Sequence, residues 1–234
     1  MKIEKPIHDL YSHSYISLKN KYFFHSVGKA ANSTVKHFLY LGEAKGTRFK
    51  YENVHDRRLS PLISPFQLTE EHLLEIFNSQ DFFKFTFVRN PYSRLLSCYL
   101  DRIVPKKSTP YKELVRYLEK DVGYEVSFQE FIEAICKQSI YEQNNHWRVQ
   151  YYDTMSDIVN YSFIGKQESF AEHMSIVWSK VYPNLALPNF DSTNSSPSRT
   201  SSEKKIDIYW NSYLINIVNE KYRMDFEHFN YDMR

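Results

Sequence analysis

The amino-acid sequence predicts an α/β fold in which helices flank a mainly parallel central sheet. Two observations carry this prediction: short apolar runs end in polar turns, and segments with helical spacing of apolar residues follow those turns. We expect one domain over residues 1–234, because 42% apolar and 17% aromatic residues supply enough core. The net charge of +2 gives no argument for nucleic acid or an anionic membrane surface as a partner.

The first residues of the chain and its two cysteines indicate the cellular compartment of the protein. Residues 1–20 are polar and predict a lead-in or a short edge element. We find no apolar run of the length that a signal peptide or a membrane span needs, so we expect a cytoplasmic protein. Cys98 and Cys136 lie in apolar helical patterns and are too few for a disulfide framework or a zinc site, which agrees with a reducing compartment.

The first strand–turn–helix unit is predicted from Tyr22 to Leu41. An apolar run starts it, and a turn of small residues that contains Lys29 follows. The apolar positions of the helix are Val35, Phe38 and Leu39. Such a unit presents backbone N–H groups to a phosphate, although an ordinary βα turn with a surface lysine has the same pattern.

A second such unit is predicted where the apolar stretch 82–88 ends in Arg89. Asn90 is a good helix N-cap and Pro91 suits the first helical position. Between the two units, alternating apolar residues predict a short strand that ends near His55. A helix capped by Thr69 is expected at 70–77.

The remaining chain predicts further helices and one more strand. The predicted elements are a charged, solvated insertion with a short helix at about 104–125, a helix that a capping box at Ser127 begins, a polar loop at 144–148, a strand at 161–164, a helix at 170–181, a lid loop at about 183–202 and a last helix at 206–222. Strands that alternate with helices support the parallel sheet.

Both turns are candidate anion sites, because ligands of open parallel sheets bind beyond the carboxyl ends of the strands. The first offers backbone donors with Lys29, Ser33 and Thr34, and the second offers Arg89 and the Ser97 hydroxyl. A surface ion pair for Arg89 and an ordinary buried serine at 97 are the alternatives. Together the two sites suit a nucleoside with phosphates at both ends.

The first turn departs from the P-loop pattern G-x-x-x-x-G-K-[ST]. Gly28 matches the second glycine of the pattern, but the first glycine is missing. Ala30 stands where the pattern has Ser or Thr after the lysine. We find no Asp-rich metal motif nearby and expect no metal. These departures disfavour a magnesium-dependent kinase.

At these motifs the chain resembles the carbohydrate sulfotransferases of the membrane-associated type, as a soluble bacterial member. FFHSVGKAANSTVKHFL is similar to the family's loop for the 5′-phosphosulfate, and FTFVRNPYSRLLSCY at 85–99 is similar to its 3′-phosphate motif. NNHWRVQ, YSFIGKQESF and MDFEHFNYD are similar to further landmarks in the same order. The resemblance covers most of the chain, but Ser26-Val27-Gly28 replaces the more usual Ile-Pro.

The resemblance implies a P-loop-kinase-like sulfotransferase fold. It also implies transfer of a sulfuryl group from 3′-phosphoadenosine 5′-phosphosulfate (PAPS) to a hydroxyl, with a carbohydrate as the expected acceptor. Lys29 would stabilise the leaving phosphate. The donor-binding residues that it implies are Gly28, Lys29, Ala30, Ala31, Asn32, Ser33, Thr34, Arg89, Ser97 and, in the lid loop, Arg199.

The acceptor hydroxyl needs a general base, and histidine has a suitable pKa. His55 lies between the two phosphate motifs, where related sulfotransferases carry the base, and Asp56 beside it would orient or replace it. His146 is the second candidate catalytic residue. A structural or surface role is the alternative for both histidines, and His25 is expected to pack.

Two other functions stay open at this point. One is an ATP-dependent kinase of a small molecule or nucleotide, which would bind ATP with magnesium. The other is a non-catalytic module that binds a nucleotide or a glycan. The expected partners exclude nucleic acid, and no membrane span is expected.

Overall fold

Four strands form one sheet in the computed structural model, which describes residues 7–190 and 202–234. In order across the sheet they are β1 (Ser14–Ser17), β2 (Tyr22–His25), β3 (Phe83–Val88) and β4 (Phe163–Lys166). β1 runs antiparallel to β2, whereas β2, β3 and β4 run parallel to one another. The predicted fold class, a mainly parallel sheet flanked by helices, is therefore confirmed.

The helices of the described residues are numbered in chain order. They are α1 (Ile7–His13), α2 (Asn32–Glu43), α3 (Glu70–Asn78), α4 (Pro91–Cys98), α5 (Thr109–Tyr117), α6 (Phe128–Lys137), α7 (Gln150–Asp153), α8 (Phe170–Val181), α9 (Ser202–Tyr209), α10 (Ser212–Lys221) and α11 (Arg223–Phe229). Thr69, Asn90 and Ser127 cap α3, α4 and α6 as predicted. No helix in the described ranges is long and apolar enough to cross a membrane.

The described chain divides into two compact units. The first comprises residues 7–88 and 154–190 and contains the sheet with α1, α2, α3 and α8; the second comprises residues 89–153 and 202–234 and contains the other helices. The expectation of a single domain stays a prediction.

Aromatic rings fill the core of the first unit. The rings of Phe24 on β2 and Phe85 on β3 stack with centroids 5.1 Å apart. α2 approaches Tyr182 so closely that a Cβ added to Gly42 would lie 2.2 Å from the ring. The Tyr182 hydroxyl donates to the Leu39 carbonyl at 2.9 Å, which fixes this contact. The helix that carries the candidate anion turn is therefore held firmly in its unit.

The second unit has its own core, centred on α4, all of whose residues are buried. Trp147 is buried there and donates through its indole N–H to Gln138 at 2.8 Å. The Tyr222 hydroxyl donates to the Trp147 carbonyl at 2.6 Å. The NNHWRVQ segment is thus anchored by a buried ring.

Three sequence expectations need correction. The strand expected before His55 is wrong, because the backbone there makes local bonds such as Asp56 N–H to the Asn53 carbonyl (3.1 Å) instead of joining a sheet. The strand expected at 161–164 is β4, displaced by two residues. The last helix is two helices, because Asn211 caps a new start by accepting from Leu214 N–H.

The charged stretch at 104–125 is also different from its prediction. It contains α5, which was expected, but one face of this helix is buried in the second unit's core. The buried residues of that face are Pro110, Tyr111, Leu114 and Val115. The interpretation as a solvated insertion is therefore wrong for this face. Most of the lid-loop prediction, with Arg199, lies outside the described residues.

Candidate functional site

The turn between β2 and α2 has the backbone of an anion site. Lys29 and Ala31 both have left-handed backbone angles, with φ of 66° and 57°. Ala31 is the N-cap of α2 and provides no side-chain cap. The first N–H groups of an α-helix have no partner within the helix, so an uncapped start presents donors and a partial positive charge to an anion.

Two polar atoms at this turn lack hydrogen-bond partners among the described residues. They are Oγ of Ser26, which is only 2% exposed, and Oδ1 of Asn32. A buried polar group without a partner costs about 1–3 kcal/mol, so such groups indicate a site that a ligand completes. Lys29 is half-buried beside them. The Ser26 hydroxyl and the Lys29 ammonium can donate and so fit a phosphate group, whereas Oδ1 of Asn32 only accepts.

His55 contacts α2 through both of its ring nitrogens. Nε2 lies 2.8 Å from Oγ of Ser33, in the first turn of α2. Nδ1 lies 3.4 Å from Nζ of Lys36, one helical turn further on. The backbone N–H of His55 donates to Oδ1 of Asn53 at 2.9 Å. The structure therefore brings His55 and Ser33 together.

Lys36 is buried in an unusual environment, with 3% of its surface exposed. Its Nζ lies 4.5 Å from the centroid of the Tyr15 ring, and the Arg57 guanidinium lies 3.9 Å from the same ring. Arg57 also donates to the Ser14 carbonyl at 2.8 Å. Burial, and to a smaller extent the charge of Arg57, lowers the pKa of Lys36 to about 7. The ammonium is therefore poised to lose its proton near neutral pH.

The Tyr15 phenol does not offset these positive charges. Burial raises its pKa to about 12, although Arg57 opposes the shift. The Asp56 carboxylate receives hydrogen bonds from Arg58, including one of 2.8 Å from Nη2. The orienting role expected for Asp56 stays a prediction.

Arg89 begins the second unit and is held by a glutamine. Its backbone N–H donates to Oε1 of Gln150 at 2.9 Å, and Nε2 of Gln150 donates to its carbonyl at 2.7 Å. Nε of Arg89 donates to Oγ of Ser93 at 3.0 Å. With 8% exposure, the side chain is buried and oriented. Ser97, on α4, is buried in the same unit.

A buried carboxylate supports this glutamine. Asp225 accepts from the backbone N–H groups of Gln150 at 2.9 Å and Tyr151 at 2.8 Å. Burial raises the pKa of Asp225 to about 6, although these hydrogen bonds and the positive charge of Arg94 oppose the shift. The MDFEHFNYD segment thus contributes to the placement of Arg89.

His146 lies in the second unit, in a local turn. Both its backbone N–H (3.0 Å) and Nδ1 (2.7 Å) contact Oδ1 of Asn144. Arg94 donates to the carbonyls of Asn145 and Arg148 at 3.1 and 2.7 Å, which holds this loop on α4. These contacts are those of a structural loop.

The predicted site residues fall into two groups. Residues 28–34 and His55 lie in the first unit, Arg89, Ser97 and His146 lie in the second, and Arg199 lies outside the described residues. His25 packs as expected, with Nδ1 2.9 Å from Oγ of Ser14. The sequence interpretation missed Lys36, Arg57, Gln150 and Asp225. For Lys36 there was a signal, a lysine inside the apolar pattern of α2.

The described residues contain no group of three His, Cys, Asp or Glu side chains that could hold a metal ion. Cys98, which is buried, and Cys136, which is partly buried, do not form a disulfide with each other.

The sequence was compared with those of known proteins, and it is similar to several carbohydrate sulfotransferases. Carbohydrate sulfotransferase 11 of Rattus norvegicus is 25% identical over 173 residues, which cover 66% of this chain and 48% of that protein. Carbohydrate sulfotransferase 14 of Homo sapiens is 27% identical over 167 residues, which cover 66% and 43%. The chain thus spans about half the length of the curated relatives it matches. No solved structure matches it.

A family model described as "Sulfotransferase family" matches residues 12–232, which include the turn before α2, His55, Arg89 and Asp225. Because this match covers nearly the whole sequence, the chain belongs to the sulfotransferase family.

Proposed function

We propose that the chain transfers a sulfuryl group from PAPS to a hydroxyl of a carbohydrate. The family match supports the reaction type, and the printed names of the relatives, which are carbohydrate sulfotransferases, support the acceptor class. The observation that carries the proposal is the uncapped start of α2 beside Lys29, with the unpartnered Oγ of Ser26. Our expectation of a cytoplasmic location, without nucleic acid as a partner, stays a prediction.

In this proposal the turn before α2 holds the 5′ end of the donor. Backbone N–H groups of residues 30–34 and the hydroxyls of Ser33 and Thr34 bind the 5′-phosphate. Lys29 neutralises charge on the oxygen that links phosphate and sulfur, where charge grows as that bond breaks. Arg89 and Ser97 bind the 3′-phosphate, and Arg199 would add a further contact. Arginine suits that role because its fork of donors matches phosphate oxygens.

His55 is the proposed general base. Nε2 takes the proton of the acceptor hydroxyl as the new oxygen–sulfur bond forms, and the bond from sulfur to the 5′-phosphate oxygen breaks. The contact of Nε2 with Ser33, a residue of the phosphate loop, supports this choice over His146, whose Nδ1 contacts Asn144 in a structural loop. His146 stays the second candidate.

The kinase alternative has less support. A P-loop kinase places Ser or Thr directly after the lysine to bind the magnesium ion, and here Ala30 follows Lys29. Calorimetry separates the two functions. We expect adenosine 3′,5′-bisphosphate to bind without metal; binding of magnesium–ATP, with none of the bisphosphate, would contradict the proposal.

Catalysis is tested by transfer from labelled PAPS to a panel of glycans. We expect Lys29→Ala to lower the transfer rate by about 10²–10³-fold, the usual effect of removing a group that stabilises developing charge. Lys45→Ala is the matched control, because Lys45 is an exposed lysine just beyond α2. Normal turnover in Lys29→Ala would contradict the catalytic role, and the survival of every measured property would favour a binding module.

A further inference from the structure

A buried lysine contacts the nitrogen of His55 that is not used for catalysis in our proposal. Nζ of Lys36 lies 3.4 Å from Nδ1, while Nε2 of the same ring lies 2.8 Å from Ser33. The two nitrogens of a neutral imidazole are not equivalent, since one carries hydrogen and the other a lone pair. The partner of Nδ1 therefore decides whether Nε2 can accept a proton.

The groups around Lys36 favour a neutral amine. Facing it are His55 and Arg57 from the irregular segment after α2 and the ring of Tyr15 from β1, and Tyr40 on its own helix interacts with Tyr15. Both tyrosine hydroxyls stay neutral at physiological pH, because burial raises their pKa values. Within residues 7–190 and 202–234 no carboxylate pairs with Lys36, and the nearby Asp56 pairs with Arg58 instead.

We propose that Lys36 sets the tautomer of His55: its neutral amine accepts the Nδ1 hydrogen, so that Nε2 keeps the lone pair that receives the acceptor's proton. This inference rests on the proposed function and makes Lys36 a positioning residue rather than a catalytic one. A protonated Lys36 has no lone pair and only donates. It would donate to Nδ1, so the neutral ring would then carry its hydrogen on Nε2, and His55 could not act as a base.

The protonation state of Lys36 therefore controls the base within the pH range of most cells. Burial and the charge of Arg57 place the pKa of Lys36 at about 7. The fraction of neutral Lys36, and with it the fraction of His55 in the active tautomer, rises as pH rises through 7.

The first test measures the tautomer without any substrate, by nitrogen NMR of the His55 ring in the full chain at pH 8.5. Lys36→Met keeps the length of the side chain, removes the lone pair and suits a buried site. In the native protein we expect hydrogen on Nδ1; in Lys36→Met we expect a shift towards hydrogen on Nε2. Lys45→Met is the control and should match the native spectrum. The same tautomer in the native protein and Lys36→Met would overturn the inference.

The second test measures kcat against pH with labelled PAPS and an active acceptor. We expect Lys36→Met to lower kcat by about tenfold to a hundredfold, part of the 10²–10⁴ that a general base contributes, with little change in donor Kd. The rise of kcat through pH 7 should change shape in this variant but not in Lys45→Met. An unchanged kcat and pH profile in Lys36→Met would overturn the inference.

The two tests separate the two hypotheses. A tautomer that depends on Lys36 in a protein without sulfuryl transfer would refute the proposed function and leave the Lys36–His55 coupling standing. An active enzyme in which the His55 tautomer does not depend on Lys36 would refute only the Lys36–His55 coupling.

Discussion

The buried carboxylate of Asp225 gives the sharpest test of how the second unit holds Arg89. Its Oδ2 accepts from N–H and Nε2 of Gln150 at 2.9 and 3.3 Å, and its Oδ1 accepts from the N–H of Tyr151 at 2.8 Å. Asp225→Asn keeps the size of the side chain but replaces one oxygen with an NH₂ group that faces an N–H donor. We expect a loss of about 1–3 kcal/mol from the unsatisfied donor, independent of pH.

The stability cost of Asp225→Asn also has a pH-dependent part, which follows from the pKa of Asp225. Burial raises this pKa from 3.8 to about 6 in the folded protein. Between these values the folded chain holds a proton that the unfolded chain has lost, so the free energy of unfolding falls as pH rises and is level above the folded pKa. Between pH 4.5 and pH 7.5 the native protein should lose about 2 kcal/mol through this group. Asp225→Asn has no such proton, so the cost of the substitution should be about 2 kcal/mol larger at pH 4.5.

Urea unfolding of the native chain and of Asp225→Asn at the two pH values measures this difference. Tryptophan fluorescence reports on both units, because Trp147 and Trp210 lie in the second and Trp178 lies in the first. Asp121→Asn, at an exposed position of the same unit, is the control for the loss of a carboxylate and should cost little at either pH. A cost of Asp225→Asn that is equal at both pH values, or larger at pH 7.5, would refute the reasoning.

Two further predictions concern the donor and the core. Arg89→Ala should weaken adenosine 3′,5′-bisphosphate binding in calorimetry by about 10–100-fold, since a hydrogen bond to a charged group contributes roughly 1.5–3 kcal/mol. Folding should survive, because the Arg89 backbone keeps its two hydrogen bonds with Gln150 in this variant. Arg116→Ala, at an exposed arginine of the same unit, is the control, and equal Kd values for the native protein and Arg89→Ala would contradict the role of Arg89. Gly42→Ala should destabilise the chain by about 1–3 kcal/mol, because the new Cβ would lie 2.2 Å from the Tyr182 ring. An unchanged urea midpoint would contradict that packing argument.

Local chemistry explains what the sequence predicted well. The turn before α2 and the capped start of α4 depend on residues within a few positions, so Gly28, Lys29, Asn90 and Pro91 were sufficient to locate both. The capping box at Ser127 is local in the same way. Where local patterns were weak the prediction failed, as at 49–55, where local turn bonds replace the expected strand.

Contacts between distant residues explain what the sequence could not predict. Asp225 binds Gln150 across 75 positions, and no local pattern marks either residue as a support of Arg89. Arg57 shares the ring of Tyr15 with Lys36 only because the chain returns to β1 after an irregular segment. The burial that lowers the pKa of Lys36 is a property of this tertiary packing.

The choice between two histidines shows how such contacts change a functional argument. In sequence, His55 is the first candidate only because it lies between the two phosphate motifs, and His146 is the second. In the structure His146 contacts a neighbouring asparagine, whose amide donates to Glu113 at 2.6 Å, so its ring belongs to a surface network. His55 instead joins a hydroxyl of the candidate phosphate loop to a buried amine. A general base needs one nitrogen near the reacting group and a partner that orients the other, and in our proposal the contacts of His55 with Ser33 and Lys36 meet these two needs.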